Sequence, residues 1–389
     1  MDIGPPECLK TALSVTPKLL MGPGPSTSSP RILQAVRQSV LEHTDPDLFK
    51  IMDDIKEGLR YAFQTKNVLT LAISGTGHSG MEAVLSNLLE PGENVLIAIT
   101  GTWGDRAADM ARRYGAIVNT VSSKFGTTLK LSEIEDAVAR VRPKLFFIVQ
   151  GDSSTGVLQP VDNLSAICRR YNCLLAVDVV ASLGAVPFYM DRWGIDAAYA
   201  GSQKVLGAPP GLAPISFSPR ARDVIFSRKT PAPVYYWDMK LVGRQWKCFD
   251  EDRIYHHTIS STLLYGLREG LSILADEGLE HAIQRHRTCA KRLYNELEKI
   301  GFELFVENED DRLCTVTTVY IPDWVTWDDV ALYMRRQNVT VSGGMGPTAG
   351  KAFRIGIMGY NATLQTVTYL INVLQESIKH VKLVTASKL

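Results

Sequence analysis

At 389 residues the chain is longer than one hydrophobic core normally sustains, so two domains are expected. With 45% hydrophobic residues, 21% charged residues and a formal net charge of +1, it has neither the basic stripe of a nucleic-acid binder nor an acidic tail. Asp178, Gly and Pro interrupt the longest apolar runs, so none could span a bilayer, and Met1-Asp2-Ile3-Gly4-Pro5-Pro6 lacks the basic and apolar regions of a secretory signal.

Residues 1 to 20 contain Pro5, Pro6 and Pro17 and show neither helical nor strand period, so an arm is expected there. In the turn that follows, Gly22-Pro23-Gly24-Pro25, the glycines leave backbone N–H groups uncovered. It is either a stiff loop or a place where the Gly24 N–H meets an anion. Apolar spacing predicts helices over 31–40 and 49–63. Next come a strand from Leu69 to Ile73, the turn Ser74-Gly75-Thr76-Gly77-His78-Ser79-Gly80 and a helix from Met81 to Leu89. A glycine-rich turn that opens a helix points bare N–H groups and the helix dipole at a phosphate.

Gly75, Gly77 and Gly80 also satisfy G-x-G-x-x-G, which makes a dinucleotide the rival ligand. That reading wants an acid at the end of the following strand, yet the strand from Asn94 to Ile99 runs into Thr100-Gly101-Thr102-Trp103. Thr76 and His78 instead suit a single phosphate monoester. Trp103 is placed either to stack on a planar ring or to be an ordinary half-buried tryptophan.

Helices over 107–114, 132–141 and 162–171 alternate with strands over 117–121 and 145–149, which predicts a mostly parallel sheet covered by helices. The loop Gln150-Gly151-Asp152-Ser153-Ser154-Thr155-Gly156 leaves this sheet at the ligand-binding edge. The next strand, Leu174 to Val177, is apolar until it reaches Asp178 at that same edge. A further short strand from Ala197 leads into Ser202-Gln203-Lys204 and the rigid Gly207 to Gly211 turn. A buried carboxylate and lysine on neighbouring strand ends are what an aldehyde cofactor with a pyridine ring requires: the lysine for the Schiff base, the carboxylate to keep the ring nitrogen protonated. An internal salt bridge is the other use of such a pair.

Tyr255-His256-His257-Thr258 suggests a metal, but adjacent residues on a regular element point apart and no histidine lies four residues away. Hydrogen-bonding roles for Tyr255 and Thr258 are expected instead. None of the six cysteines has metal-ligand spacing. A helix of about 20 residues from near Leu279 leads into a composition shift at 306–311, so that after the arm over 1–20 a large domain is expected over 21–280 and a small α+β domain over 281–389. In the small domain Arg354 is the one charge in an apolar strand, and its planar fork suits a carboxylate ligand or a structural acid.

Taken together, Ser-Gly-Thr-Gly-His, Gly-Asp-Ser-Ser-Thr-Gly-Val-Leu-Gln, Val-Asp-Val-Val-Ala-Ser-Leu-Gly, Gly-Ser-Gln-Lys and Tyr-His-His-Thr resemble the motifs of the class V pyridoxal-phosphate aminotransferases of fold type I. The resemblance runs from Gly22 to the Arg354 strand. It implies an α/β fold with a mostly parallel sheet in a large domain, a smaller C-terminal α+β domain, and pyridoxal 5'-phosphate as cofactor. It further implies that Lys204 holds the cofactor aldehyde and Asp178 pairs with the ring nitrogen, with Trp103 and Val180 on the two ring faces. Thr76, Gly77, His78 and Gln203 would surround the phosphate, joined by Tyr255 and Thr258 from the second subunit of a homodimer onto which the arm crosses. Ser153 would lie beside ring and substrate, and Arg354 with the Gly24 N–H would take the substrate carboxylate.

Within the family the motifs resemble most the branch acting on alanine and glyoxylate, with the 3-hydroxykynurenine transaminases as neighbours. Where kynurenine-specific relatives carry a Ser-Asn pair after the first helix, this chain has Glu42 and His43. That departure favours L-alanine and glyoxylate, giving pyruvate and glycine, over 3-hydroxykynurenine or serine as donor. Ser387-Lys388-Leu389 points the same way, as a peroxisomal address read by an import receptor.

Overall fold

The computed structural model describes residues 3–386; Met1, Asp2 and Ser387-Lys388-Leu389, on which the peroxisomal expectation rests, lie outside the described residues. Its centre is a seven-stranded sheet in the order Leu69–Ser74, Leu212–Phe217, Ala197–Tyr199, Leu174–Asp178, Leu145–Val149, Asn94–Ile99, Ile117–Ser122. The middle strands are buried along their whole length, as expected where helices cover both faces. Leu212–Phe217 alone runs against its neighbours. Ser74, Ile99, Val149, Asp178 and Tyr199 therefore all end at one edge, where the loops of interest emerge.

The small domain has a three-stranded antiparallel sheet, Val316–Tyr320, Ala352–Gly356 and Ser342–Gly343. Helices Leu279–Lys299, Trp327–Arg336 and Leu364–Ala386 pack with it. Its apolar core, built around Leu293, Phe353 and Leu370, also takes in Met21, Ala181 and Val205. The turn carrying Lys204 is thus anchored in the small domain's core as well as in the sheet.

Three local expectations need correction. The arm is not featureless to residue 20: Glu7–Leu9 forms one 3-10 turn, and Leu19–Leu20 pairs in parallel with Val339–Thr340. The helix after the glycine-rich turn starts at Gly77, so His78, Ser79 and Gly80 belong to its first turn, with Thr76 at the N-cap. Trp103 is not on a strand end but in the first turn of the helix Thr102–Arg113. Only Gly104 lets that helix begin so early, since a Cβ there would lie 2.5 Å from the Ala98 carbonyl oxygen. Among the described residues no helix is long and apolar enough to cross a membrane, and no cluster of His, Cys, Asp and Glu could hold a metal ion.

Candidate active site

Asp178 is 4% exposed at the end of its strand. One carboxylate oxygen accepts the Val180 N–H at 2.8 Å, and the other accepts the Tyr199 hydroxyl. Burial pushes the carboxyl up to about 6, and the nearby Asp152 charge pushes the same way, while the hydrogen bonds and Lys204 oppose it. Tyr199 faces Asp178 because the two are register partners on adjacent strands. Read as sequence, Tyr199 is only a core residue, and nothing in its own strand marks its role.

Lys204 donates its Nζ to the Pro23 carbonyl. Burial pulls the ammonium down to about 8 against the attraction of Asp178, and Arg354 lowers it further. Gly24 covers this amine with φ of +115°, and a Cβ there would lie 2.5 Å from Nζ. Glycine is therefore required twice at this position, by backbone conformation and by contact.

Gly75, at φ +133°, turns the chain out of its strand, and its N–H donates to the Gly211 carbonyl at 2.8 Å. The helix Gly77–Leu88 then begins at this sheet edge, where the amides of its first turn have no helical partners. Gly77 is pressed against Val180, where a Cβ would come within 2.9 Å of Cγ2. The Gln203 Oε1 atom is buried without a hydrogen-bond partner, and a Cβ on Gly201 would stand 3.0 Å from it and 3.4 Å from Val180. An acceptor left orphaned beside a helix N-terminus marks a place where a ligand belongs.

His78 Nε2 lies 2.6 Å from Arg106 Nη1. A guanidinium can only donate, so Nε2 is the acceptor and the ring is neutral. Burial lowers the His78 pKa, with the Arg106 charge adding to the effect. Arg106 also lies over Trp103, 5.2 Å from the ring centroid. This arginine escaped the sequence reading because it sits one helical turn beyond Trp103 on a helix whose first turn was not foreseen.

Trp103 Nε1 donates to Ser153 Oγ at 2.9 Å, and Arg354 Nη1 donates to the Ser153 carbonyl at 2.9 Å. Arg354 is 8% exposed, and its Nε donates to the Gly343 carbonyl at 3.0 Å. The charge inside this strand is therefore met by two carbonyls and, at longer range, by Asp152, with no direct acidic partner. Asp152 is itself buried, with Oδ1 bonded to Ser154 and Oδ2 without a partner.

The structure brings together Gly24, Thr76, Gly77, His78, Trp103, Ser153, Asp178, Val180, Gln203, Lys204 and Arg354 around one sheet edge. Tyr255 and Thr258 lie elsewhere: they face outward, Tyr255 at 60% exposure, with their hydroxyls 2.9 Å apart. His43 packs on Tyr255 with ring centroids 4.7 Å apart, so the Glu42-His43 loop belongs with this outward pair.

Residues 31–370 match the family described as aminotransferase class-V. The chain is 53% identical over 385 residues to an alanine–glyoxylate aminotransferase of Drosophila melanogaster, covering 98% of each protein. It is 47% identical over 378 residues to that of Felis catus, covering 97% of this chain and 91% of the other. The crystal structure of an alanine–glyoxylate aminotransferase from Nostoc sp. superposes with a TM-score of 0.93 at 43% identity, over 97% of this chain and 100% of that one. With the expected α/β architecture in place and near full-length agreement in sequence and structure, the chain belongs to the class V aminotransferases.

Proposed function

We propose that this enzyme moves the amino group of L-alanine to glyoxylate, giving pyruvate and glycine, with pyridoxal 5'-phosphate bound between Trp103 and Val180. The observation that carries the chemistry is the buried Lys204 amine, drawn down to about 8, on the same sheet edge as the buried Asp178 carboxylate. The choice of substrates is supported by relatives of near-equal length named for alanine and glyoxylate. The residues present fit the cofactor: the helix start at Gly77, with the Gln203 side chain beside it turned to donate its amide N–H, suits its phosphate, and Asp178 suits its ring nitrogen.

When bound, the cofactor supplies an electron sink for the charge left on the substrate α-carbon. Asp178 keeps a proton on the ring nitrogen, and Tyr199 holds that carboxylate in place. Trp103 and Val180 would hold the ring between them. Lys204, half of whose ammonium has already lost its proton near pH 8, would hold the cofactor through its aldehyde and, when free, is the base placed to take the substrate's α-carbon proton. Arg354 exchanges a carbonyl partner for the substrate carboxylate, helped by the Gly24 N–H. In a homodimer Tyr255 and Thr258 reach the partner's phosphate, which explains why their hydroxyls point outward. The Glu42-His43 loop, packed beside Tyr255, then lies where donors are sorted.

Side-by-side kinetics test this reading. With glyoxylate as acceptor, kcat/KM for L-alanine is expected to exceed that for 3-hydroxykynurenine by about tenfold or more, because a loop without the Ser-Asn pair gives a bulky donor no polar anchors. Arg354→Ala is expected to raise KM for alanine and glyoxylate alike, by ~2–4 kcal/mol of lost charged contact. Equal or better turnover of 3-hydroxykynurenine would move the enzyme to the other branch.

The proposal extends to location. Ser387-Lys388-Leu389 is read as the tripeptide that an import receptor delivers to peroxisomes. A fluorescent fusion ending in these residues is expected inside peroxisomes and its truncated counterpart outside, seen by microscopy; equal distributions would remove the assignment.

A further inference from the structure

The adjacent histidines contradict the expectation that neighbours point apart. Residues 251–260 form no regular element, and the two rings converge there, with His256 Nδ1 and His257 Nδ1 2.7 Å apart. His256 Nε2 lies 3.0 Å from the Tyr235 carbonyl, and His257 Nε2 lies 2.8 Å from Ser74 Oγ.

The chemistry of the partners assigns every proton in this chain. A carbonyl only accepts, so neutral His256 carries its hydrogen on Nε2 and offers a lone pair on Nδ1. His257 must then donate from Nδ1, which leaves its Nε2 to accept the Ser74 hydroxyl. All three contacts thus run in one direction, from Ser74 through His257 and His256 to Tyr235. A first added proton is accommodated on His257 only if the Ser74 hydroxyl turns round, and a second sets N–H against N–H. Burial, with the neighbouring His256 next in size, holds the His257 pKa at about 4, so the neutral arrangement persists.

The ends of this chain give it a use. Ser74 closes the strand that feeds the phosphate-facing turn, and its carbonyl accepts Trp237 Nε1 at 3.2 Å. The His257 backbone is held separately, its carbonyl accepting Gln245 Nε2 at 2.6 Å. Tyr236 covers the His257 ring, and Tyr235 stacks on that of His256. With both rings pinned inward, the residues on either side of the pair, Tyr255 and Thr258, are left outward with their hydroxyls joined.

We infer that His257, anchored on Ser74 and paired with His256, is a positioning residue that fixes the Tyr255–Thr258 hydroxyl pair for the cofactor phosphate in the other subunit. The inference rests on the shared-site reading above and adds to it. Tyr255 and Thr258 touch the phosphate, whereas His257 acts through them and ties each subunit's outward pair to the strand end beside its own phosphate site.

The test uses the full-length protein freed of cofactor, with pyridoxal 5'-phosphate and phosphate-free pyridoxal as probes. His257→Phe keeps a ring against Tyr236 but removes both nitrogens. Its affinity for pyridoxal 5'-phosphate is expected to fall about tenfold while that for pyridoxal stays at the parent value. Ser74→Ala, which leaves the 255–258 segment intact, should shift the same ratio by a smaller factor and serves if His257→Phe does not fold. The reference is the Tyr255→Phe/Thr258→Ala double variant, expected to lose at least as much preference for the phosphate ester.

Equal weakening of both probes would reduce His257 and Ser74 to a stabilising role and overturn the inference. So would parent-like affinities in the folded variants while the double variant loses its preference. A double variant that keeps the parent preference would remove the shared-site reading itself, and the inference with it.

Discussion

Lys204→Ala is expected to lose about ten-thousandfold or more in transamination rate while keeping its fold, since the proton shift at the α-carbon then has no positioned base. The structure supports a clean loss. The Lys204 amine hangs from a turn whose next residue, Val205, is held in the small domain's core, so shortening position 204 leaves that anchor in place. Single-turnover conversion of alanine, with circular dichroism as the control for folding, measures the effect. Near-parent turnover would mean that another group moves the proton.

The same variant tests the proposed dimer. At cofactor concentrations that leave the Tyr255→Phe/Thr258→Ala double variant empty, each variant alone is inactive. In a mixed dimer one site collects both defects and the other collects none, so activity is expected to return on mixing. Demonstrably mixed dimers without activity would place Tyr255 and Thr258 in their own subunit's site or outside any site.

Asp178→Asn is expected to bind cofactor yet lose about a thousandfold in kcat, because an amide cannot hold a proton on the ring nitrogen as a carboxylate does. The substitution nearly preserves shape, and the Val180 N–H keeps an oxygen acceptor at 2.8 Å. It also has a signature in pH. In the parent, capture of the aldehyde by the cofactor-free protein should rise through about 8 as Lys204 loses its proton, then level off. Asp178 is charged at that pH and is what holds the lysine up, so removing the charge moves the midpoint lower. A midpoint that stays put would show that the two groups do not feel each other.

How far the site was legible depends on whether a residue's role is local. Gly24, Gly75 and Gly77 stand where the backbone must turn or approach a neighbour closely, and such needs leave glycines in the sequence. Asp178 and Lys204 were visible as charges at the ends of apolar runs. Tyr199 was not, because its role comes from register: strand pairing sets it opposite Asp178, and pairing is not written in either strand. Arg106 was hidden by a helix start encoded in Gly104 rather than in apolar spacing. The reversed direction of Leu212–Phe217 was hidden too, since a strand buried on both faces looks the same in either sense. The converging histidines needed an irregular segment, where periodicity says nothing.

The pairing of Leu19–Leu20 with Val339–Thr340, and the 2.8 Å bond from the Gly356 N–H to the Met21 carbonyl, have a consequence for how the protein is made. The segment that places Pro23 and Gly24 over Lys204 leaves the ribosome early, yet the strands that hold it are translated near the end. Until they appear, the roof over the sheet edge carrying Asp178 and Lys204 lacks the strands that hold it, and the early segment has only its contacts with the Gln203-Lys204 turn. Contacts so distant along the chain close slowly, and unpaired edges are exposed while they wait. Nascent chains of this enzyme therefore carry an uncovered cleft from the time Lys204 emerges until Gly356 does, a period in which unpaired edges invite misassembly.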